Sequence, residues 1–164
     1  DLISQSYFAT YNLPIGITRC GNFFGGCDLN FNRLIPGTIR SVLHGQRPII
    51  RSDGTFIRDY FYIEDAVHAY ATLAEKLDDP QFHGHPFNFS SGNQYAAKDV
   101  VEKTLALMQR SDLAPIITAS AQNEIPRQYL SSAKAEEMLG WKARFHFDEA
   151  LGKTIRWYKD FFNG

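Results

Sequence analysis

An eight-residue run of aromatic and β-branched residues, FIRDYFYI at positions 56–63, constrains the fold of this chain more than any other feature. Such a run favours a buried β-strand, and the Asp53-Gly54 pair just before it indicates a turn. Side chains alternate along a strand, so Arg58 would share one face with two tyrosines and point away from Asp59. Because a guanidinium on a buried face needs a partner, the run predicts a core strand that also carries an anion-binding candidate.

Short helices and strands alternate along the rest of the chain. Apolar residues recur at helical spacing in several segments, and β-branched runs bounded by turn residues mark others. The pattern predicts a mixed α/β fold with short strands and four to five helices after the end of an opening helix. The helices are expected at 34–44, 64–77, 97–109, 134–139 and 148–162, and further strands at 13–20, 48–51, 87–90 and 115–118.

Composition excludes several classes of partner. The 17 Lys and Arg residues against 18 Asp and Glu give a formal charge of -1, which offers no field to hold a nucleic acid or an anionic membrane. No apolar run is long enough to span a bilayer and no leader opens the sequence, so we expect a cytoplasmic protein without membrane contact. Cys20 and Cys27 are too few for a secreted disulfide framework, and no metal-ligand spacing is present.

A glycine-rich segment, Gly21–Gly26, follows the strand predicted at 13–20. Glycines at such a position suit a close approach of the backbone to a ligand. The segment does not match G-x-G-x-x-G and no helix follows it at once, so it does not indicate a dinucleotide-binding turn. Asn22 within it could bond a sugar hydroxyl or a phosphate oxygen, or it could be a turn residue that bonds its own backbone.

Four arginines stand at the edges of apolar or aromatic segments instead of in charged runs: Arg33, Arg51, Arg58 and Arg127. If Arg51 and Arg58 face one cleft, their guanidinium forks could clamp a pyrophosphate. The alternative for each is an ordinary ion pair with a carboxylate elsewhere in the chain. Glu124 is isolated in a predicted loop, and no Ser/His/acid order can be assigned.

The chain resembles the C-terminal half of the extended short-chain dehydrogenase/reductases that act on nucleotide sugars, the NAD-dependent epimerase/dehydratase family. The resemblance covers essentially the whole chain and is carried by GGCDLNFNRLIPGTIRS, RPIIRSDGTFIRDYFYIEDA and NEIPRQYLSSAKAEEMLGW. Within the family, DLNFNR, Arg51 and EIPRQYLS are most similar to the CDP-glucose 4,6-dehydratases. The alternatives are an epimerase or a dehydratase for a dTDP- or GDP-sugar, and a non-catalytic binding fragment.

The resemblance implies a two-part organisation. Residues 1–24 would be the tail of a Rossmann domain, namely the end of a helix plus one strand, and residues 25–164 the substrate-binding lobe. The NAD fingerprint and the catalytic Tyr-x-x-x-Lys pair of the family would lie upstream of Asp1, so we expect no catalytic residue here and no activity from this chain alone. NAD is the implied cofactor, bound mainly by that upstream half, and the full-length protein is expected to be a homodimer or homotetramer.

The resemblance also implies roles for individual residues in binding a CDP-sugar. Asn22 matches the asparagine that contacts the sugar nucleotide, and Arg58 matches the arginine that grips its pyrophosphate. In relatives the nicotinamide lies near the backbone at the position that matches Cys20, so Cys20 is the implied cofactor contact. The remaining implied substrate-binding residues are Arg33 and Arg51, in segments that line the substrate, and Glu124, Arg127 and Gln128, in a loop that closes over the nucleotide.

For the intact enzyme, the resemblance implies conversion of CDP-glucose to CDP-4-dehydro-6-deoxyglucose, a lyase reaction. NAD takes a hydride from C4 of the glucose unit, water is lost from C5 and C6, and the hydride returns to C6. A grip on the pyrophosphate would let binding energy remote from the reacting carbons orient the hexose.

Overall fold

This computed structural model describes residues 1–120 and 124–164 of the chain. These residues contain six α-helices and eight short β-strands. The helices are α1 (Leu2–Tyr11), α2 (Leu34–Leu43), α3 (Ile63–Lys76), α4 (Ala97–Leu107), α5 (Ala133–Leu139) and α6 (Phe147–Asn163). The strands are β1 (Ile17–Cys20), β2 (Asn22–Phe24), β3 (Ile49–Ile50), β4 (Ile57–Tyr62), β5 (Pro86–Phe89), β6 (Gln94–Ala96), β7 (Ile116–Ile117) and β8 (Arg127–Gln128). The predicted mixed α/β class is confirmed.

The run predicted as a core strand, β4, is the centre of a four-stranded sheet. β6 runs antiparallel along one edge of β4. Two parallel strands share the other edge, because β8 pairs with residues 57–58 and β2 pairs with residues 60–62. The start of β2 therefore lies beside Tyr60, and the end of β8 lies beside Arg58.

Both faces of β4 are covered, and the alternation predicted for it is confirmed. Tyr60 and Tyr62 pack into one cluster with residues of α2 and α6, whereas Phe61 packs into a second cluster around Trp141. Phe61 and Trp141 are almost fully buried, and burying side chains of this size stabilises the fold by about 2–3 kcal/mol each. Because both faces are buried, the second half of β4, residues 60–62, is a continuous aromatic run instead of an apolar–polar alternation.

Two shorter parallel pairs complete the β-structure: β1 with β5, and β3 with β7. The β1–β5 pair joins a strand of the predicted tail, residues 1–24, to a strand of the predicted lobe, residues 25–164. Hydrogen bonds therefore cross from one predicted part to the other, and the division between them stays a prediction.

The structure corrects the sequence-based elements in two respects. The strand predicted at 13–20 is confined to its second half, since Pro14 has no N–H to donate to a ladder. The helices need no correction, since the described residues hold the opening helix and five more, within the four to five predicted after it. The three strands that sequence patterns missed, β2, β6 and β8, have only two or three residues and are defined by their partners.

The opening helix α1 ends as predicted at Asn12, whose φ of 51° is the left-handed conformation common after helix ends. None of the residues of α1 is buried, and Leu2 and Ile3 are largely exposed. No helix in the described residues is long and apolar enough to cross a bilayer.

Candidate functional site

A cavity of about 780 Å³ opens between the β4 sheet, the first turns of α2 and the β3 strand. Its volume is in the range of small-molecule sites. Among the charged residues that line it are four arginines and one carboxylate, Glu124. Five of the residues singled out from the sequence line this one cavity: Asn22, Arg33, Arg51, Arg58 and Glu124.

Arg58 extends from β4 and is held by three partners. Its Nη1 donates to the backbone carbonyls of Ile57 at 2.9 Å and Ile125 at 2.7 Å, and its Nη2 donates to Glu124 Oε2 at 2.9 Å. Only 16% of the Arg58 side chain is exposed. Of the two readings left open by the sequence, the ion pair with a distant carboxylate is therefore present, and it lies inside the shared cavity.

The Asp53-Gly54 pair lies between Arg51 and Arg58, which both line the cavity. Asp53 Oδ1 accepts hydrogen bonds from the backbone N–H and the hydroxyl of Thr55, both at 2.8 Å, and these bonds hold the pKa of Asp53 below its usual value. Gly54 takes a φ of 88°, which a residue with a side chain rarely adopts. Arg51 precedes this segment, and its Nη2 donates to the Asn32 carbonyl at 2.6 Å.

Arg33 occupies the N-cap position of α2 and is largely exposed. Its Nη1 pairs with Asp28 Oδ2 at 3.0 Å, and 59% of its side chain is exposed. The loop that carries Asp28 is tied to α6, since Tyr158 Oη donates to the Asp28 carbonyl at 2.6 Å. The position of the Arg33 side chain thus depends on its ion pair with Asp28 and on the loop that carries Asp28.

Sequence reasoning missed a fourth arginine of the cavity, Arg40. Its guanidinium carbon lies 4.4 Å from the centre of the Phe31 ring, a cation–π arrangement that leaves the N–H edge of the fork available. A signal was present, since Arg40 follows Arg33 by seven residues, which is two turns along the same face of α2. The aromatic residues Phe31 and Phe56 of the lining were also not singled out.

Asn22 begins β2 and lines the cavity beside Tyr60. The residue before it, Gly21, is tightly enclosed, because a Cβ atom there would lie 2.8 Å from Asp59 Cγ. Burial raises the pKa of Tyr60 to about 12, so its hydroxyl stays protonated at neutral pH. The carboxyl of Asp59 is buried below, where its Oδ2 accepts the Leu130 N–H at 3.2 Å and burial raises its pKa.

Three predicted site residues are not among those that line the cavity: Cys20, Arg127 and Gln128. Cys20 ends β1, where its thiol lies beside the second core cluster. Burial, and secondly the charge of Asp59, raise the pKa of this thiol to about 11. Arg127 and Gln128 form β8 along the edge of β4, and both are exposed.

The described residues offer little that fits a dinucleotide or a metal. No strand among residues 1–120 and 124–164 is joined to a following helix by the short glycine-rich turn that receives a pyrophosphate. Within the same residues, no three His, Cys, Asp or Glu side chains cluster as metal ligands. The implied contact of Cys20 with a cofactor stays a prediction, and no chemical step through NAD follows from these residues.

The sequence and the fold were compared with those of known proteins. The model of the NAD dependent epimerase/dehydratase family matches residues 1–90, more than half of the chain. The chain belongs to this family. This family membership is consistent with the resemblance drawn from the sequence. The mixed α/β fold and the arginine-rich cavity are consistent with it as well.

The similar curated proteins include several sugar-nucleotide dehydratases. The chain is 28% identical to the dTDP-glucose 4,6-dehydratase of Neisseria meningitidis over 98% of its own length and 47% of that protein. It is 30% identical to a probable dTDP-glucose 4,6-dehydratase of Sinorhizobium fredii, with 96% of this chain and 46% of that protein covered. The chain thus spans about half the length of these relatives.

Solved structures show the same fold at lower identity. The dTDP-glucose 4,6-dehydratase of Bacillus anthracis, in complex with NAD, matches 98% of this chain and 49% of its own with a TM-score of 0.88 and 24% identity. The UDP-glucose 4-epimerase of Thermotoga maritima, with UDP-glucose, matches 98% of this chain and 51% of its own with a TM-score of 0.89 and 21% identity. Dehydratases and epimerases therefore share this fold.

Proposed function

We propose that the cavity binds the diphosphate and sugar of a nucleotide sugar, and that the intact gene product is an NAD-dependent 4,6-dehydratase acting on CDP-glucose. The observation that carries this proposal is the charge of the cavity, whose lining includes four arginines and a single carboxylate. A site so rich in forked cations suits an anion with several phosphate oxygens, since each arginine can form two parallel hydrogen bonds to one phosphate group.

The positions of the arginines support a diphosphate more than a single phosphate. Arg58 lies on the sheet and Arg51 and Arg33 lie at the β3 and α2 walls, so cationic groups come from three sides of one cavity. Asn22 adds an amide that can bond a sugar hydroxyl. In this proposal Arg58, Arg51 and Arg33 hold the diphosphate and Asn22 contacts the sugar, whereas direct roles for Arg127 and Gln128 lack support from the cavity lining.

The division of labour in the whole protein is part of the proposal. NAD would supply the acceptor and donor of hydride, bound mainly by a segment that precedes this chain, with the backbone at Cys20 at its edge. The residues of this chain would bind and orient the sugar nucleotide. Residues 1–24 would belong to the cofactor domain and residues 25–164 to the substrate lobe, and the intact protein would be a homodimer or homotetramer.

The choice of CDP rests on the stretches DLNFNR and EIPRQYLS and on Arg51. The alternative within the family is a dTDP- or GDP-sugar dehydratase or an epimerase. It is favoured by the relatives described above, whose names specify dTDP-glucose and UDP-glucose. A non-catalytic binding protein is the alternative from another class, and it would use the same cavity without turnover.

The deciding experiment incubates the intact gene product and NAD with CDP-glucose, dTDP-glucose, UDP-glucose and GDP-mannose in turn. We expect CDP-glucose to lose its 6-hydroxyl and form a 4-keto sugar, with kcat/KM at least about tenfold above that for the other sugars, as buried polar groups discriminate between bases. Mass spectrometry and the alkali-induced absorbance of the 4-keto product report the reaction. Preference for another base, inversion at C4 without loss of water, or binding without turnover would each contradict a separate part of the proposal.

A further inference from the structure

Glu124 pairs with Nη2 of Arg58, one of the two nitrogens through which a ligand phosphate could bind this guanidinium. The two N–H groups of Arg58 Nη1 are taken by two backbone carbonyls, and Nη2 donates to Glu124 at 2.9 Å. A guanidinium has five N–H donors. Three of those of Arg58 are used, and Glu124 is the one charged partner among the three acceptors. Among the described residues no hydrogen bond uses Nε or the second N–H of Nη2, so a phosphate that binds this edge of Arg58 shares Nη2 with Glu124 and competes with its carboxylate.

The two partners of this ion pair are held very differently. The Arg58 side chain is only 16% exposed, and β4 and the Ile125 carbonyl fix it. The Glu124 side chain is 45% exposed and has no other hydrogen bond among the described residues. Ile57 N–H donates to the Pro126 carbonyl at 2.8 Å, so the backbone next to Glu124 stays attached to β4 when the carboxylate turns away.

We propose that Glu124 is a specificity-determining residue, an internal carboxylate that competes with the ligand's phosphate groups for Arg58. This inference rests on the proposed function, because it concerns the same cavity. Carboxylate and phosphate suit the same guanidinium fork, and two anions on one fork repel each other. Glu124 therefore lowers the affinity for every ligand whose phosphate reaches Arg58, and it favours ligands with enough phosphate charge to displace it.

This role is opposite in sign to a direct contact with the ligand. If Glu124 held a ribose hydroxyl or a base amino group, removing its charge would weaken binding. If it competes with phosphate, removing its charge strengthens the binding of a nucleoside diphosphate and leaves the binding of the bare nucleoside unchanged. The direction of the change thus separates the two roles.

The test is calorimetric titration of the intact gene product with CDP and with cytidine, for the native protein and for Glu124→Gln. The glutamine keeps the shape of the side chain and loses its charge. We expect CDP to bind about tenfold more tightly to the variant, as for the loss of one competing charged hydrogen bond, and cytidine to bind as before. Glu136→Gln is the matched control, because Glu136 is 47% exposed and pairs with Lys142 outside the cavity, and it should change neither affinity.

A double variant makes the result specific to Arg58. In the Arg58→Ala background, Glu124→Gln should no longer tighten CDP, since there is no guanidinium left to compete for. Unchanged or weaker CDP binding by Glu124→Gln, equal tightening of cytidine, or tightening that persists without Arg58 would each overturn the inference. Failure of the native protein to bind CDP or any other nucleoside diphosphate would instead overturn the proposed function, so the two failures are distinguishable.

Discussion

Two regions of the cavity carry the same side-chain type and differ in how firmly they hold it. The floor consists of Asn22 on β2 and Arg58 and Tyr60 on β4. The rim consists of residues 31–33, at the end of the loop that starts at Cys27, and the first turns of α2. Strand pairing on both edges of β4 fixes the floor, whereas the rim depends on the Arg33–Asp28 ion pair and the bond from Tyr158 to the Asp28 carbonyl.

This difference teaches that counting arginines is a poor guide to binding strength. The Arg58 guanidinium is mostly out of water, where a charged hydrogen bond is strong, and its orientation is already set. The Arg33 guanidinium is mostly in water, where the attraction for an anion is weakened and the side chain loses entropy on binding. The floor should therefore supply most of the affinity for phosphate, and the rim should supply less.

The largest effect is expected at the floor. Arg58→Ala should weaken the binding of the preferred nucleoside diphosphate by about 2–5 kcal/mol, because it removes a largely desolvated charged partner. Calorimetric titration measures this loss, and thermal unfolding checks that the variant stays folded. Arg156→Ala removes an exposed arginine on α6 that does not line the cavity, and it should leave the affinity unchanged. Equal effects of the two substitutions would refute the assignment of Arg58.

The two cysteines distinguish floor from rim by their chemistry. Cys20 directly precedes the floor, and burial with the nearby charge of Asp59 raises its pKa from the ordinary 9.0 to about 11. Only about one thiol in a thousand is then a thiolate near pH 8, whereas Cys27 in the rim loop is exposed. Iodoacetamide should label Cys27 long before Cys20, as measured by mass spectrometry of peptides over time. Comparable labelling rates would show that the floor is open to solvent.

The raised pKa of Cys20 also predicts that the folded state loses stability as the pH rises above about 9. The thiol form of Cys20 is favoured in the folded state, so its contribution is complete below the unfolded pKa near 9.0 and is lost as pH rises through the folded pKa near 11. The difference in unfolding free energy between the native protein and Cys20→Ala should accordingly shrink across that interval in urea titrations.

The smallest effect is expected at the rim. Arg33→Ala should weaken diphosphate binding by less than about 1 kcal/mol, because the side chain is exposed and already paired. Raising the salt concentration should reduce this difference further, since exposed charges are screened more than buried ones. A loss as large as that of Arg58→Ala, or one insensitive to salt, would mean that the rim closes over the ligand and shares the role of the floor.

The sequence indicated β4, which carries most of the floor, better than its partner strand β8, and the reason is physical. FIRDYFYI is long, aromatic and bounded by a turn, so its strand and the alternation of Arg58 with buried residues followed from local rules. β8, in contrast, is a two-residue strand whose existence depends on β4, which lies some seventy residues earlier in the chain. Local patterns carry no information about such a partner, so the pairing of Arg58 with Glu124 could not be predicted.

The arginines show the same limit. Arg33, Arg51 and Arg58 could be selected because they interrupt apolar segments, and all three line one cavity, although their contacts with a ligand stay predictions. Arg40 escaped notice because an arginine within an amphipathic helix is ordinary on a solvent-facing side. Only the placement of Phe31 against that side of α2 turns it into a residue of the cavity.

The separation of Arg58 and Glu124 in the chain has a consequence for biosynthesis. The two residues are 66 positions apart, and β2, β4 and β8 are contributed by early, middle and late segments. A ribosome therefore completes Arg58 well before the strand that borders it, and loop closure over that distance comes late in folding. A chain that stops before Glu124 would keep Arg58 and β2 but would lack both the Ile125 carbonyl and the carboxylate that hold the Arg58 guanidinium in the finished protein.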